Sequence, residues 1–283
     1  MSNAHARPPV PPPLGVSVYD NHTHMELRDN EESDPFDWKA QLESAELAGV
    51  AGVVQVGTDL PSSQWAAEIA NTDPRVLAAV ALHPNEAPIL GARGVLAEHL
   101  EGIAALAAHE RVRAIGETGL DYFRTGEDGR AFQHESFEAH IAIAKAHDLA
   151  LQIHDRDAHD EVVETLRRVG APERTVFHCF SGDAELARIA AEEGWYLSFS
   201  GTVTFKNAKN LHEAVQIVPL DRILVETDAP FLTPTPFRGR PNSAYMVPYT
   251  VRSIAERLAI AEDELAAATA ENTIRVYGSW SAA

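Results

Sequence analysis

Eight short apolar, β-branched runs punctuate this chain, and the interval after each leaves room for one helix. They cover residues 16–20, 50–56, 76–82, 112–116, 149–153, 175–177, 195–199 and 223–225, with starts 20 to 37 residues apart. Several are apolar on both faces, as parallel strands covered by helices on both sides require. The stretches between them carry helical signals. Residues 38–48 end at Gly49, a C-terminal stop, and residues 132–147 place Phe137, Ile141 and Ala144 on one face. Residues 160–169, 184–193 and 248–258 behave similarly, and 261–270 opens on Glu262-Asp263-Glu264, acids at the end the helix dipole favours. The rhythm predicts an α/β fold, a (β/α)8 TIM barrel, as a single domain over 15–283. A doubly wound open sheet is the alternative, but no Gly-x-Gly-x-x-Gly follows the first strand. Residues 1–14, with Pro8, Pro9, Pro11, Pro12 and Pro13, read as a flexible tail.

Composition narrows the partners. Hydrophobic residues make up 45% of the 283, ample for a core, yet no run of eighteen apolar residues exists to span a membrane. The first residues lack an apolar signal region, and the one cysteine, Cys179, excludes an internal disulfide. A cytoplasmic monomer without membrane partners is the expectation. The net charge of −19, from 42 acids against 23 bases, repels a long polyanion. A nucleic-acid substrate therefore demands bound cations and a local basic rim.

The ends of the apolar runs carry the chemistry. They read Asp20-Asn-His22-Thr-His24, Leu-His83-Pro, Gly-Glu117-Thr-Gly, Gln-Ile-His154, Phe-His178-Cys-Phe and Glu226-Thr-Asp228. Polar residues after successive strands imply one polar cluster at one end of a barrel, and a hydrolase built on two divalent ions is the simplest device needing it. Residues two apart on a strand share a face, so Asp20, His22 and His24 point one way, and two neutral imidazoles there suit a transition metal. Glu117, in the turn after the fourth strand, has two oxygens and can bridge two ions; its plainer role is a helix cap. Asp121 reads as a structural acid or as support for a ligand. His154 and His178, ending consecutive strands, form a natural pair for a second ion, although either alone is more often a core or surface histidine. Arg156 can clamp a phosphate or pair with Asp155, Asp157 or Asp160. Asp228 can bind an ion weakly while accepting a proton, with Glu226 on the same face. His83 can touch substrate. The other histidines, His140 among them, read as solvated. Cys179 points away from His178 and reads as buried packing, and no Gly-x-Ser-x-Gly elbow or phosphate-binding loop is present.

These segments, with Gly116-Glu-Thr-Gly-Leu-Asp-Tyr122, Ile153-His-Asp-Arg-Asp-Ala158, His178-Cys-Phe-Ser-Gly182, Ser198-Phe-Ser-Gly-Thr-Val-Thr-Phe-Lys-Asn207 and Glu226-Thr-Asp-Ala-Pro-Phe-Leu232, resemble the TatD-type metal-dependent deoxyribonucleases, from about residue 16 to 278. The resemblance implies an amidohydrolase-like barrel with two divalent ions (Zn, Mn or Mg). It assigns His22, His24, Glu117 and Asp228 to the first ion and Glu117, His154 and His178 to the second. It makes Asp228, Glu117 and Arg156 catalytic, turns His83 and Arg156 to the scissile phosphate, and lines a strand-binding groove with Lys206 and Asn207. The implied activity is hydrolysis of DNA phosphodiesters, 3′-to-5′ on single strands, in DNA repair or turnover. Three positions depart from the family pattern: Glu26 for Asp, Asp155 for Ser or Asn, and residues 238–244 for an Arg-Asn-Glu-Pro segment. Hydrolysis of a phosphotriester, lactone or cyclic amide is the rival reading, since neutral substrates are not repelled. Cleavage of aminoacyl-tRNA esters and a catalytically silent binding protein are further alternatives.

Overall fold

The computed structural model describes residues 6–27 and 37–280. Eight strands run β1 Val18–Thr23, β2 Val50–Val56, β3 Val76–Val80, β4 Val112–Asp121, β5 Ala150–Arg156, β6 Thr175–Phe177, β7 Tyr196–Phe199 and β8 Ile223–Val225. The helices are α1 Trp38–Leu47, α2 Leu60–Thr72, α3 Glu86–Ala92, α4 Leu96–Leu106, α5 Glu127–Ala146, α6 His159–Val169, α7 Ala184–Glu193, α8 Lys209–Ile217, α9 Val247–Leu258 and α10 Glu262–Tyr277. The sheet order is β1 through β8 in sequence, and Thr23 at the end of β1 bridges in parallel to Ala229 just past β8. First and last strands therefore meet, and the fold is the (β/α)8 barrel. The largest departures from the sequence reading are in β4 and β5, which run past Gly116 and Ile153 to Asp121 and Arg156. Sequence punctuation by glycine suggested a turn, but parallel pairing continues from Thr118–Ile153 to Asp121–Arg156.

By their contacts, Met1–Val54 with Gly182–Arg275 form one compact unit and Gln55–Ser181 with Val276–Ala283 another. In the first, β7 and β8 pair in parallel with Phe199 opposite Val225. Asn21 donates from Nδ2 to Val225 O at 2.7 Å and to Thr273 Oγ1 at 3.1 Å, tying β1 to β8 and α10. Asp37 caps α1 by accepting from the Lys39 and Ala40 amides, and Asp183 caps α7 in the same way. The segment expected to be a flexible tail is held from residue 6 onward. Arg240 donates to Ala6 O and Arg7 O, Tyr245 to Pro8 O and Arg252 to Pro12 O, and Leu14 is buried. Proline removes a donor but leaves its carbonyl as an acceptor, and the arginines and tyrosine exploit this. Residues 1–5 of that expectation lie outside the described residues.

In the second unit β3, β4, β5 and β6 pair in order. Every residue of β3 is buried, and Phe137 and Phe177 are fully enclosed, each such ring contributing roughly 1.5–3 kcal/mol. Asp59 and Ser62 form a capping box on α2. His140, read from sequence as solvated, is fully buried on α5. Its Nε2 accepts from the Leu82 amide at 3.1 Å, which leaves the proton on Nδ1, 2.7 Å from Ser136 O. Burial, only partly opposed by that Ser136 carbonyl, pushes it down to about 4. A helical position facing a strand end, not solvent, is what the periodicity alone could not distinguish.

Candidate metal centre

In the first unit the backbone zips two distant stretches together. The His24 amide donates to Ala229 O at 2.8 Å and the Asp228 amide to His22 O at 3.0 Å. The two imidazoles then meet, Nε2 to Nε2, at 3.2 Å, with rings edge to face. Asp228 Oδ1 is 4.0 Å from His22 Nε2 and 3.7 Å from His24 Nε2. Both imidazoles are buried. Asp228 does not continue β8: the strand stops at Val225 and Asp228 adopts φ +53°, a conformation a β-carbon resists and functional turns often hold. Asp20 departs from the reading that put it beside the histidines. Its carboxylate accepts from the Thr227 amide at 2.8 Å, the Thr227 hydroxyl and the His22 amide at 3.3 Å. Burial lifts it to about 8 against those bonds from Thr227 and His22, with Glu226 adding to the lift.

The second unit gathers its donors on one atom. Glu117 Oε1 lies 2.6 Å from His154 Nδ1, 2.9 Å from His178 Nε2 and 3.4 Å from His83 Nε2. Two glycines permit it. A β-carbon on Gly116 would collide with Gln152, and one on Gly119, at φ +141°, with the His154 carbonyl oxygen. His83 Nδ1 accepts from the Asn85 amide at 3.1 Å, which directs its Nε2–H at Glu117. The sequence set His83 apart for substrate; the structure brings it into the donor set. Asp121 shares Glu117's face of β4, and its Oδ2 is 3.2 Å from His154 Nε2. That alternation was readable, but only once the strand was known to extend so far. Burial opposes the charge on both acids, yet both stay well below the usual carboxylate range. The electrostatic influence of the His83 and His178 rings, with bonds from His154 and His178, outweighs burial at Glu117; at Asp121 the bond from His154 does so. Between them His154 rises to about 9: burial works against its proton, and its bonds to Asp121 and Glu117 prevail.

Two imidazoles with a carboxylate, and a carboxylate ringed by imidazoles, are the N/O donor sets that divalent transition metals take. A pair of imidazole nitrogens at 3.2 Å can share at most one hydrogen bond, whereas a cation satisfies both lone pairs. The residues present fit the ion.

A family model described as "TatD related DNase" matches residues 19–278. Similar proteins are the uncharacterized metal-dependent hydrolases TatD of Mycobacterium tuberculosis and YabD of Bacillus subtilis. The first is 44% identical, covering 92% of this chain and 98% of its own; the second is 40% identical over the same shares. The crystal structure of YjjV, a TatD homolog from Escherichia coli, superposes with TM-score 0.83 at 26% identity, covering 93% of this chain and 98% of its own. The chain belongs to the TatD-related DNase family. It is a metal-dependent hydrolase.

Arg156, Lys206, Asn207 and Cys179 of this TatD-family hydrolase lie outside the donor clusters. Arg156 ends β5, and its guanidinium stacks 3.9 Å from the Phe123 ring centroid. It does not pair with Asp155, Asp157 or Asp160, and Asp155 is taken by His159 at 2.7 Å. Lys206 and Asn207 are exposed after the helical turn Gly201–Thr204, where Arg238 stacks 4.3 Å from the Phe205 ring centroid. Cys179, expected to be buried, is half-exposed at φ +41° because β6 ends two residues earlier. Phe123 had no sequence signal; nothing in an apolar letter announces that it faces water.

Proposed function

We propose that this metal-dependent hydrolase cleaves phosphodiester bonds of single-stranded DNA as a 3′-to-5′ exonuclease. His22, His24 and Asp228 would hold one divalent ion, and Glu117, His154 and His178 a second. Such ions supply positive charge against a phosphoryl oxygen and make water more acidic. Asp121, bonded to His154 Nε2, would hold that ring with its Nδ1 turned to the ion beside Glu117. The Arg156 guanidinium neutralises charge building on the phosphate, the His83 Nε2–H donates a hydrogen bond to it, and Asp228 Oδ1 takes the proton of the attacking water.

The observation that carries this reading is Arg156. Two residues along β5 from His154, it is a fixed cation held by stacking, with no ion pair among the described residues. An arginine with unspent donors beside a metal cluster suits a phosphate better than a neutral ester. The net charge of −19 favours the second reading, a neutral lactone or phosphotriester. One experiment separates them. Protein loaded with Mn or Zn is assayed on single-stranded DNA, an aryl phosphotriester and a lactone; preferential shortening of DNA from its 3′ end is expected, and hydrolysis confined to the uncharged substrates defeats the proposal.

A further inference from the structure

We propose that Phe123, backed by Arg156, is the stacking site for an unpaired base of the substrate. This rests on the nuclease reading above and specifies where the strand is gripped. Phe123 lies two residues past the end of β4 and is 62% exposed. Arg156 occupies one face of that ring, with Cζ 3.9 Å from the centroid. Next to it Arg130 stacks at 3.9 Å on Tyr122, and Arg124 is exposed. Two guanidinium groups stacked on two neighbouring aromatic rings combine the cation–π and base-stacking elements that single-strand binders use.

The turn carrying Phe123 is rigid. The Tyr122 amide donates to Arg156 O at 2.9 Å and the Arg124 amide to Asp121 Oδ1 at 2.8 Å. Fully buried Gln133 accepts from the Asp121 amide at 3.1 Å and donates to Pro84 O at 3.0 Å and Thr125 Oγ1 at 2.8 Å. An exposed ring on a fixed backbone offers stacking at little entropic cost. Asp121, which anchors the turn, also contacts His154, so the platform and the Glu117 cluster share a support. The next residue, Arg124, lines an open cleft of about 880 Å3 with Asn85, Ile89 and Thr125. Glu127 and Asp128 line it too, so recognition there depends on the ring rather than on net charge. Every base has a π face, so the site accepts any sequence but not a base buried in a duplex.

The test compares binding of two phosphorothioate strands of equal length, one of thymidine and one abasic, to the metal-loaded protein. The wild type is expected to bind the thymidine strand about 10-fold more tightly, and Phe123→Ala to shrink that ratio to about 2-fold or less. Phe123→Trp retains it, and a 2-aminopurine placed at the terminal position is quenched by the wild type and not by Phe123→Ala. An undiminished ratio in a folded Phe123→Ala variant overturns the stacking site while leaving the nuclease reading intact. Equal wild-type affinity for both strands also overturns it, and no binding of either strand removes the nuclease reading as well.

Discussion

Around Glu117 three imidazole nitrogens lie within 3.4 Å of one carboxylate oxygen, whereas Asp228 Oδ1 stands 3.7 and 4.0 Å from the imidazoles of His24 and His22. The two clusters use the same donor types and differ in how charge is balanced. The Glu117 group offsets its charge in part from within: two charged carboxylates, Glu117 and Asp121, face a proton on His154. The His22–His24 pair has imidazole against imidazole, and its nearby buried acid, Asp20, is lifted to about 8 and given over to holding the backbone. One cluster is thus prearranged by hydrogen bonds that an ion must replace, and the other by backbone zippering together with the contact between its two imidazoles.

The harshest way to break the comparison is to remove each carboxylate. Glu117→Ala deletes the atom on which three imidazoles converge, and turnover is expected to fall by about 10³-fold or more. Asp228→Asn keeps shape and removes the proton acceptor, for about 10²- to 10⁴-fold. Elemental analysis of both purified, folded variants should show Glu117→Ala losing more bound metal; near-normal rates in either would end the assignment.

Gly119→Ala strikes only the Glu117 side, because the added methyl meets the His154 carbonyl. A loss of about 2–4 kcal/mol in urea-unfolding stability is expected, with metal retained at the His22 pair. An unchanged midpoint would show that β4 and β5 can separate there.

His140 sharpens the same side through pH. Its folded value, about 4, lies below the ordinary 6.5, so the unfolded chain binds the extra proton first as pH drops. Its contribution is complete above pH 6.5 and is lost as pH falls towards 4, up to about 3 kcal/mol. Unfolding free energies measured across that window should lose this slope in His140→Gln. The smallest effect is expected at Asp20→Asn, about 1 kcal/mol, since an amide oxygen can still accept from Thr227. A much larger cost by calorimetry would mean that the carboxylate works charged.

Much of the site was legible because strand ends display their residues in order. The His22-x-His24 spacing required only that β1 run to that point, and it reaches Thr23. Where the sequence misled, backbone conformation was responsible. Glu117 reads as a turn residue because glycines flank it, yet those glycines serve close approach between strands. Asp228 and Cys179 break strand alternation by turning to positive φ, which no side-chain pattern encodes. His140 looks like any polar residue on a helix until the amide of Leu82 is seen to need an acceptor.

The order of apolar runs was enough to determine an α/β barrel, because buried parallel strands and covering helices impose their own periods. The identities of the metal-seeking residues were likewise in the sequence. Which nitrogen meets which oxygen, which acid carries charge and which holds backbone, and that Phe123 stands bare over an arginine were decided only in three dimensions. Those properties depend on distance and desolvation between residues tens to hundreds of positions apart, and linear spacing carries no measure of either.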